Sequence, residues 1–166
     1  MTTEPPTPAE SPAPTESEST TPEPTGFPSA ETIASIDARA AAWREHLDDV
    51  ELQAALWREV FALEHWFFVP RGTPEAPQPL MLTLSEGPAI LAFTSPDRAR
   101  AAAQGLGLPA EATDQVISVQ LPDAIEWVAG LAQHGVRVAV FDYGVQGYLA
   151  QLGNLVPIRD WLAARG

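Results

Sequence analysis

The chain has no cysteine and no lysine, a single asparagine, and no apolar run long enough to cross a bilayer. Each absence excludes something. Without cysteine there are no disulfides, thiol nucleophiles or thiolate metal sites. A bilayer span needs about 18–20 apolar residues. The first residues carry neither a basic n-region nor an apolar h-region, so no signal peptide is expected and a cytoplasmic setting is. All nine basic residues are arginine, against 22 acidic ones, giving a net charge of −13. Such a surface repels phosphate backbones and anionic lipid, so neither nucleic acid nor membrane is an expected partner. Only Arg98 and Arg100, near the start of one helix, could form a local basic patch. The arginine-only, alanine-, glycine- and proline-rich composition fits coding bias in a GC-rich bacterial genome.

What is present is unevenly spread. Residues 1–28 hold eight of the 17 prolines, five glutamates and no basic residue. Phe27 is their one large apolar side chain after Met1. Such a segment cannot bury enough apolar surface to offset its ordering entropy, and a disordered acidic tail is predicted. Residues 29–166 are then one domain of ordinary size.

Ser29 can cap a first helix. Ile33, Ile36, Ala40, Trp43 and Leu47 follow at helical spacing. Asp48 and Glu51 have capping-box spacing and predict a second helix from Asp49, with Leu52, Leu56 and Phe61 apolar. The two helices form either a hairpin or one kinked rod. Residues 65–69 read as a strand, 71–78 as a loop, 80–84 and 89–93 as an antiparallel hairpin. Ser95-Pro96-Asp97 starts a helix that Gly105 stops. A short strand is expected at 116–119, a helix from Pro122 to Gly135, and a strand at 136–141. A last edge strand is expected at 152–156, then a helix from Pro157. The fold class is α+β: a mixed, largely antiparallel sheet of about five strands packed with helices, preceded by the tail.

Several stretches carry a resemblance. They are Leu56-Trp57-Arg58-Glu59-Val60 leading into Trp66-Phe67-Phe68-Val69-Pro70, then Gly87 to Ser95 before a helix. Leu121-Pro122-Asp123-Ala124, His134-Gly135-Val136 and Val156-Pro157-Ile158-Arg159-Asp160-Trp161-Leu162-Ala163 follow. Together they resemble the N-terminal domain of the SseB (enhanced serine sensitivity) family over roughly residues 50–166. The sequence departs from that pattern at Phe141-Asp142-Tyr143-Gly144, where the family has an Asn-Pro-Gly turn. The resemblance implies a small cytoplasmic bacterial interaction or regulatory module, and brings no reaction or catalytic set.

Direct search for chemistry yields little. His46, His65 and His134 lie in no metal-ligand frame. Ser95 lacks the flanking glycines of a nucleophile elbow and reads as a helix cap. Gly105-Leu106-Gly107-Leu108-Pro109 follows a helix and precedes no Lys-Ser/Thr, so it reads as a helix stop. Glu45, Asp48, Asp49 and Glu51 lack a calcium-loop frame and read as solvated, capping carboxylates. No catalytic residue, metal or cofactor is expected.

The segment after the 136–141 strand holds an acid, two glycines and two phenols. Asp142, Tyr143, Gly144, Gln146, Gly147 and Tyr148 are candidate ligand or partner contacts, because sites favour strand ends. The alternative is a tight glycine turn whose tyrosine rings cover the sheet edge. Trp57, Trp66 and Phe68 are a second candidate, as an exposed aromatic patch for a protein partner. The leading expectation is a non-enzymatic protein-interaction or regulatory module with an unidentified protein partner. Its rival is a small-molecule-binding or enzymatic domain using the 142–148 loop. A third is a spacing or solubilising role for the tail.

Overall fold

Residues 27–166 are described by the structure, a computed structural model of the chain. The predicted disordered tail lies outside the described residues up to position 26. Phe27, at its end, stacks on Phe67 with ring centroids 5.7 Å apart.

Helices α1 (Ala30–Glu45) and α2 (Val50–Phe61) form a hairpin. The Ser29 side chain caps α1 by accepting from the Thr32 N–H. The cap of α2 is Asp49, one residue later than the Asp48 spacing predicts; its Oδ1 accepts from Glu51 N and Leu52 N. Because α1 ends at Glu45, Leu47 falls off its apolar face and is exposed. Ser35 and Arg39 of α1 both reach the Glu59 carboxylate of α2, which fixes the hairpin.

Strand β1 (His65–Phe68) pairs antiparallel with β6 (Ile117–Gln120). Residues 71–78 are not a plain loop: β2 (Pro70–Thr73) and β3 (Ala76–Pro79) form a small exposed hairpin. Its prolines mask an extended conformation, since proline is tolerated on exposed strand edges. The main sheet has the order β4-β5-β7-β8, from β4 (Met81–Leu84), β5 (Gly87–Ala92), β7 (Val138–Phe141) and β8 (Tyr148–Gln151). The β4·β5 and β7·β8 pairs are antiparallel and β5·β7 is parallel, so the sheet is mixed. A bridge between Phe67 and Phe93 joins β1 to it.

Helix α3 (Pro96–Gly105), a short helix α4 (Ala110–Asp114), α5 (Asp123–Gly130) and α6 (Leu152–Ala163) complete the domain, with a 3-10 turn at Leu131–His134. The last edge strand is 148–151 rather than 152–156. Leu152 already begins α6, and Pro157 lies inside that helix instead of starting it.

Alternation along the strands divides the core into two clusters. Trp66, Phe68, Ile90, Ala92, Ala139, Phe141, Tyr148 and Ala150 face α1, α2, α5 and α6. Phe67, Ala89, Leu91, Val138 and Val140 face α3. Leu149 and Gln151 are directly opposite Val140 and Val138, on the α3 side of the sheet, yet both are exposed.

Candidate functional site

Parallel β5 and β7 end side by side, which brings Thr94 next to Asp142. Asp142 has φ of 50°, a left-handed conformation that aspartate tolerates better than most side chains. Its backbone carbonyl accepts from Val145 N (3.0 Å) and Gly147 N (3.2 Å), closing the loop that leads to β8. Its carboxylate points inward and is fully buried.

Thr94 and Arg98, at the start of α3, donate to that carboxylate. Oδ1 accepts from Thr94 N at 2.9 Å, and the Thr94 hydroxyl lies 3.1 Å from Oδ1 and 2.9 Å from Oδ2. Arg98 Nη1 donates to Oδ2 at 2.8 Å, while its Nη2 donates to Asp37 Oδ2 at 2.6 Å. Arg98 stands there because Ser95 caps α3, accepting from Arg98 N, and Pro96 begins the helix. One guanidinium thus links α1, α3 and the end of β7.

Burial pushes the Asp142 carboxyl above its usual value, opposed by the Thr94 N–H and then by the Arg98 charge. Burial lowers the basicity of Arg98, but bonding to Asp37 and the charge of Asp142 together raise it. Tyr148 is buried and stacks on Phe141, with centroids 5.6 Å apart and planes 8° apart. Its hydroxyl has no hydrogen-bond partner of normal geometry. Burial, followed by the negative charge of Asp142, holds the phenol well above its usual value.

The candidate loop therefore divides in two. Asp142 and Tyr148 are interior groups that hold it in place. Tyr143, Gly144 and Gly147 are exposed and Gln146 is half-buried. Gly144 and Gly147 both have positive φ, at 89° and 58°. Val145, between them, is 52% exposed; Tyr143 is 37% and Leu149 46% exposed. These are three of the six exposed large apolar side chains among the described residues. Val145 and Leu149 carry no polar group that would mark them as site residues in the sequence. Strict alternation with buried Tyr148 and Ala150 is the signal that places Leu149 on the other face.

The second candidate patch is corrected. Trp57, Trp66 and Phe68 are 1%, 0% and 0% exposed and belong to the core. Trp57 meets Phe141 and Tyr148 edge-on, Trp66 meets Phe141 edge-on, and Phe68 meets Trp127. Their spacing is that of an apolar face, and the helices cover it.

Among the described residues no group of three or more His, Asp or Glu side chains is arranged to hold a metal ion. No helix among them is long and apolar enough to cross a membrane. Ser95 is a cap, as its sequence context predicts. His134 lies in the 3-10 turn that Gly135 ends, in the left-handed conformation.

Comparison with known proteins finds no family model that matches the chain and no curated protein that matches it.

Proposed function

We propose that the chain is an SseB-type domain acting as a non-enzymatic protein-interaction or regulatory module, with its contact surface on the 143–149 segment. One observation carries this reading: Tyr143 and Val145 are exposed on a loop whose base is clamped from inside, and Leu149 is exposed on the strand that follows. A protein-binding surface needs apolar side chains held in a fixed arrangement, because ordering them on binding costs free energy. The Asp142 cluster supplies that arrangement in advance. The family assignment rests on the Phe93-Thr94-Ser95 and Val156-Pro157-Ile158 stretches and their neighbours. A cytoplasmic setting belongs to the same reading and rests on the cysteine-free composition.

The test is capture from a bacterial lysate, with full-length wild type and a Tyr143→Ser/Val145→Ser variant as baits. Polypeptides other than the bait are expected on the wild type. They should fall ~10-fold on the variant, as for the loss of interface anchors. Equal retention by both baits, or no retained polypeptide, would remove this surface from the reading.

A further inference from the structure

We infer that the groove between α2 and α6 is an intramolecular docking site, and that its occupant is the chain's own proline-rich segment, residues 5–14. The groove is separate from the 143–149 surface, and neither reading depends on the other.

The groove follows from the packing of the two helices. Val50, Ala54 and Trp57 of α2 face Pro157, Ile158 and Trp161 of α6 across a cavity of about 420 Å³. Trp57 is buried, whereas Val50 and Pro157 are exposed. The amides of Gln53 and Asn154 complete the lining, which holds no carboxylate. Four other cavities among the described residues differ in both respects. Each carries at least one acid, Glu86, Asp48, Glu59 or Glu111, and none has a Trp, Tyr or Phe ring. An acidic segment is therefore repelled from those four and not from this one.

The lining also selects for proline. Proline-rich segments dock in aromatic-lined grooves because their extended left-handed helix is formed in advance and loses little entropy on binding. Their backbone carbonyls make no internal hydrogen bonds, so the Gln53 and Asn154 amides have acceptors to meet. Residues 5–14 hold five prolines, at 5, 6, 8, 12 and 14. Their one charge is Glu10. A cation stands ready for it, since the Arg165 guanidinium lies 4.2 Å over the Trp161 ring. Arg165 Nη1 already pairs with Glu51 at 3.2 Å, but that pair is exposed and leaves the other guanidinium donors available.

The tether has the right reach. The tail meets the domain at Phe27, stacked on Phe67 just before α1 starts. Val50 opens α2 at the far end of the helical hairpin, so the span to cover is about the length of α1. That helix has 16 residues and is about 24 Å long. Residues 15–26, at ~3.1 Å each, reach roughly 37 Å. Tethering also gives the segment an effective concentration of about a millimolar, an advantage that no free peptide of the same sequence shares.

The absence of cysteine permits a direct test on the full chain. A nitroxide is attached through Thr7→Cys, and the indole N–H signal of Trp161 is followed in the ¹⁵N-enriched protein. It is expected to lose about half its intensity or more relative to the reduced label, as a millimolar effective concentration gives for a millimolar affinity. Two changes should restore it. One replaces Pro5, Pro6, Pro8, Pro12 and Pro14 with serine, outside the folded domain. The other is Gln53→Glu, which puts a carboxylate in the groove; if it fails to fold, the proline variant decides. A Trp161 signal that the label leaves unchanged, or one lost equally without the prolines, would overturn the proposal. Loss in a mixture of labelled unenriched and unlabelled enriched chains would also overturn it, by making a second copy's tail the occupant.

Discussion

Arg98 donates from Nη1 to the Oδ2 of Asp142 across 2.8 Å, tying the first turn of α3 to the end of β7 over 44 positions of sequence. The carboxylate is fully buried and the guanidinium nearly so. Its other arm reaches Asp37 on α1, a more exposed partner.

Replacing Arg98 with Met leaves the Asp142 carboxylate buried without its cation. Loss of one partner of a buried pair costs about 3–5 kcal/mol. Urea unfolding of Arg98→Met should show a loss of that size. Asp37→Asn weakens only the outer, partly solvated arm, and should cost about 1 kcal/mol or less. Equal losses in the two variants would contradict the burial difference.

The pH dependence has a definite sign. A carboxyl whose value is higher folded than unfolded binds its proton more tightly in the folded protein. Asp142 is raised above 3.8, so its contribution to stability is greatest in acid. It declines as pH rises from about 3.8 through the folded-state value. The stability difference between wild type and Asp142→Asn is therefore expected to fall with pH across that window and then level off. In an Arg98→Met background the fall should extend to higher pH, because the Arg98 charge opposes the rise. A difference that grows with pH would contradict this assignment.

Tyr148→Phe removes a buried hydroxyl that has no partner of normal geometry and keeps the ring stacked on Phe141. A buried hydroxyl without a hydrogen bond of normal geometry recovers little of its desolvation cost, so its removal should be near neutral. The melting free energy should change by less than about 1 kcal/mol. Tyr148→Ala deletes the ring and should cost about 3–5 kcal/mol, as for other large aromatic truncations.

Gly87 opens β5 with φ of 115°, and a Cβ there would meet Arg137 Cγ at 3.1 Å. The arginine side chain can swing aside, but the backbone conformation cannot be adopted by alanine without strain. Gly87→Ala is expected to cost about 1–3 kcal/mol in thermal unfolding. By contrast Gly105→Ala, inside the end of α3 with open space around it, should be neutral or mildly stabilising.

Local signals read well. Ser29 and Ser95 cap helices because their side chains bond within their own first turns, a relationship contained in four residues. The α+β class, the β4·β5 hairpin and the turn at Gly135 follow from similarly short patterns. Errors fall where a local pattern has two outcomes. Pro157 can start a helix or sit in its early turns, and the packing of Leu152 and Leu155 into the core decided for the latter. The prolines at 74 and 77 read as loop but are compatible with an exposed hairpin.

The candidate loop shows the same division. Sequence by itself determined that 142–148 is a glycine-bearing connection after a buried strand, because glycine and β-branched runs act through the backbone of their own neighbours. It also determined the charge, the missing thiols and the composition of the tail. It could not tell which of the loop's polar groups face inward. Asp142 and Tyr148 became interior groups because parallel pairing of β5 with β7 set Asp142 beside Thr94 and Arg98. Trp57, Trp66 and Phe68 became core because four helices close over one face of the sheet. Leu149 remained exposed at the uncovered end of the other face. Burial depends on which distant segments meet, and only the tertiary structure decides that.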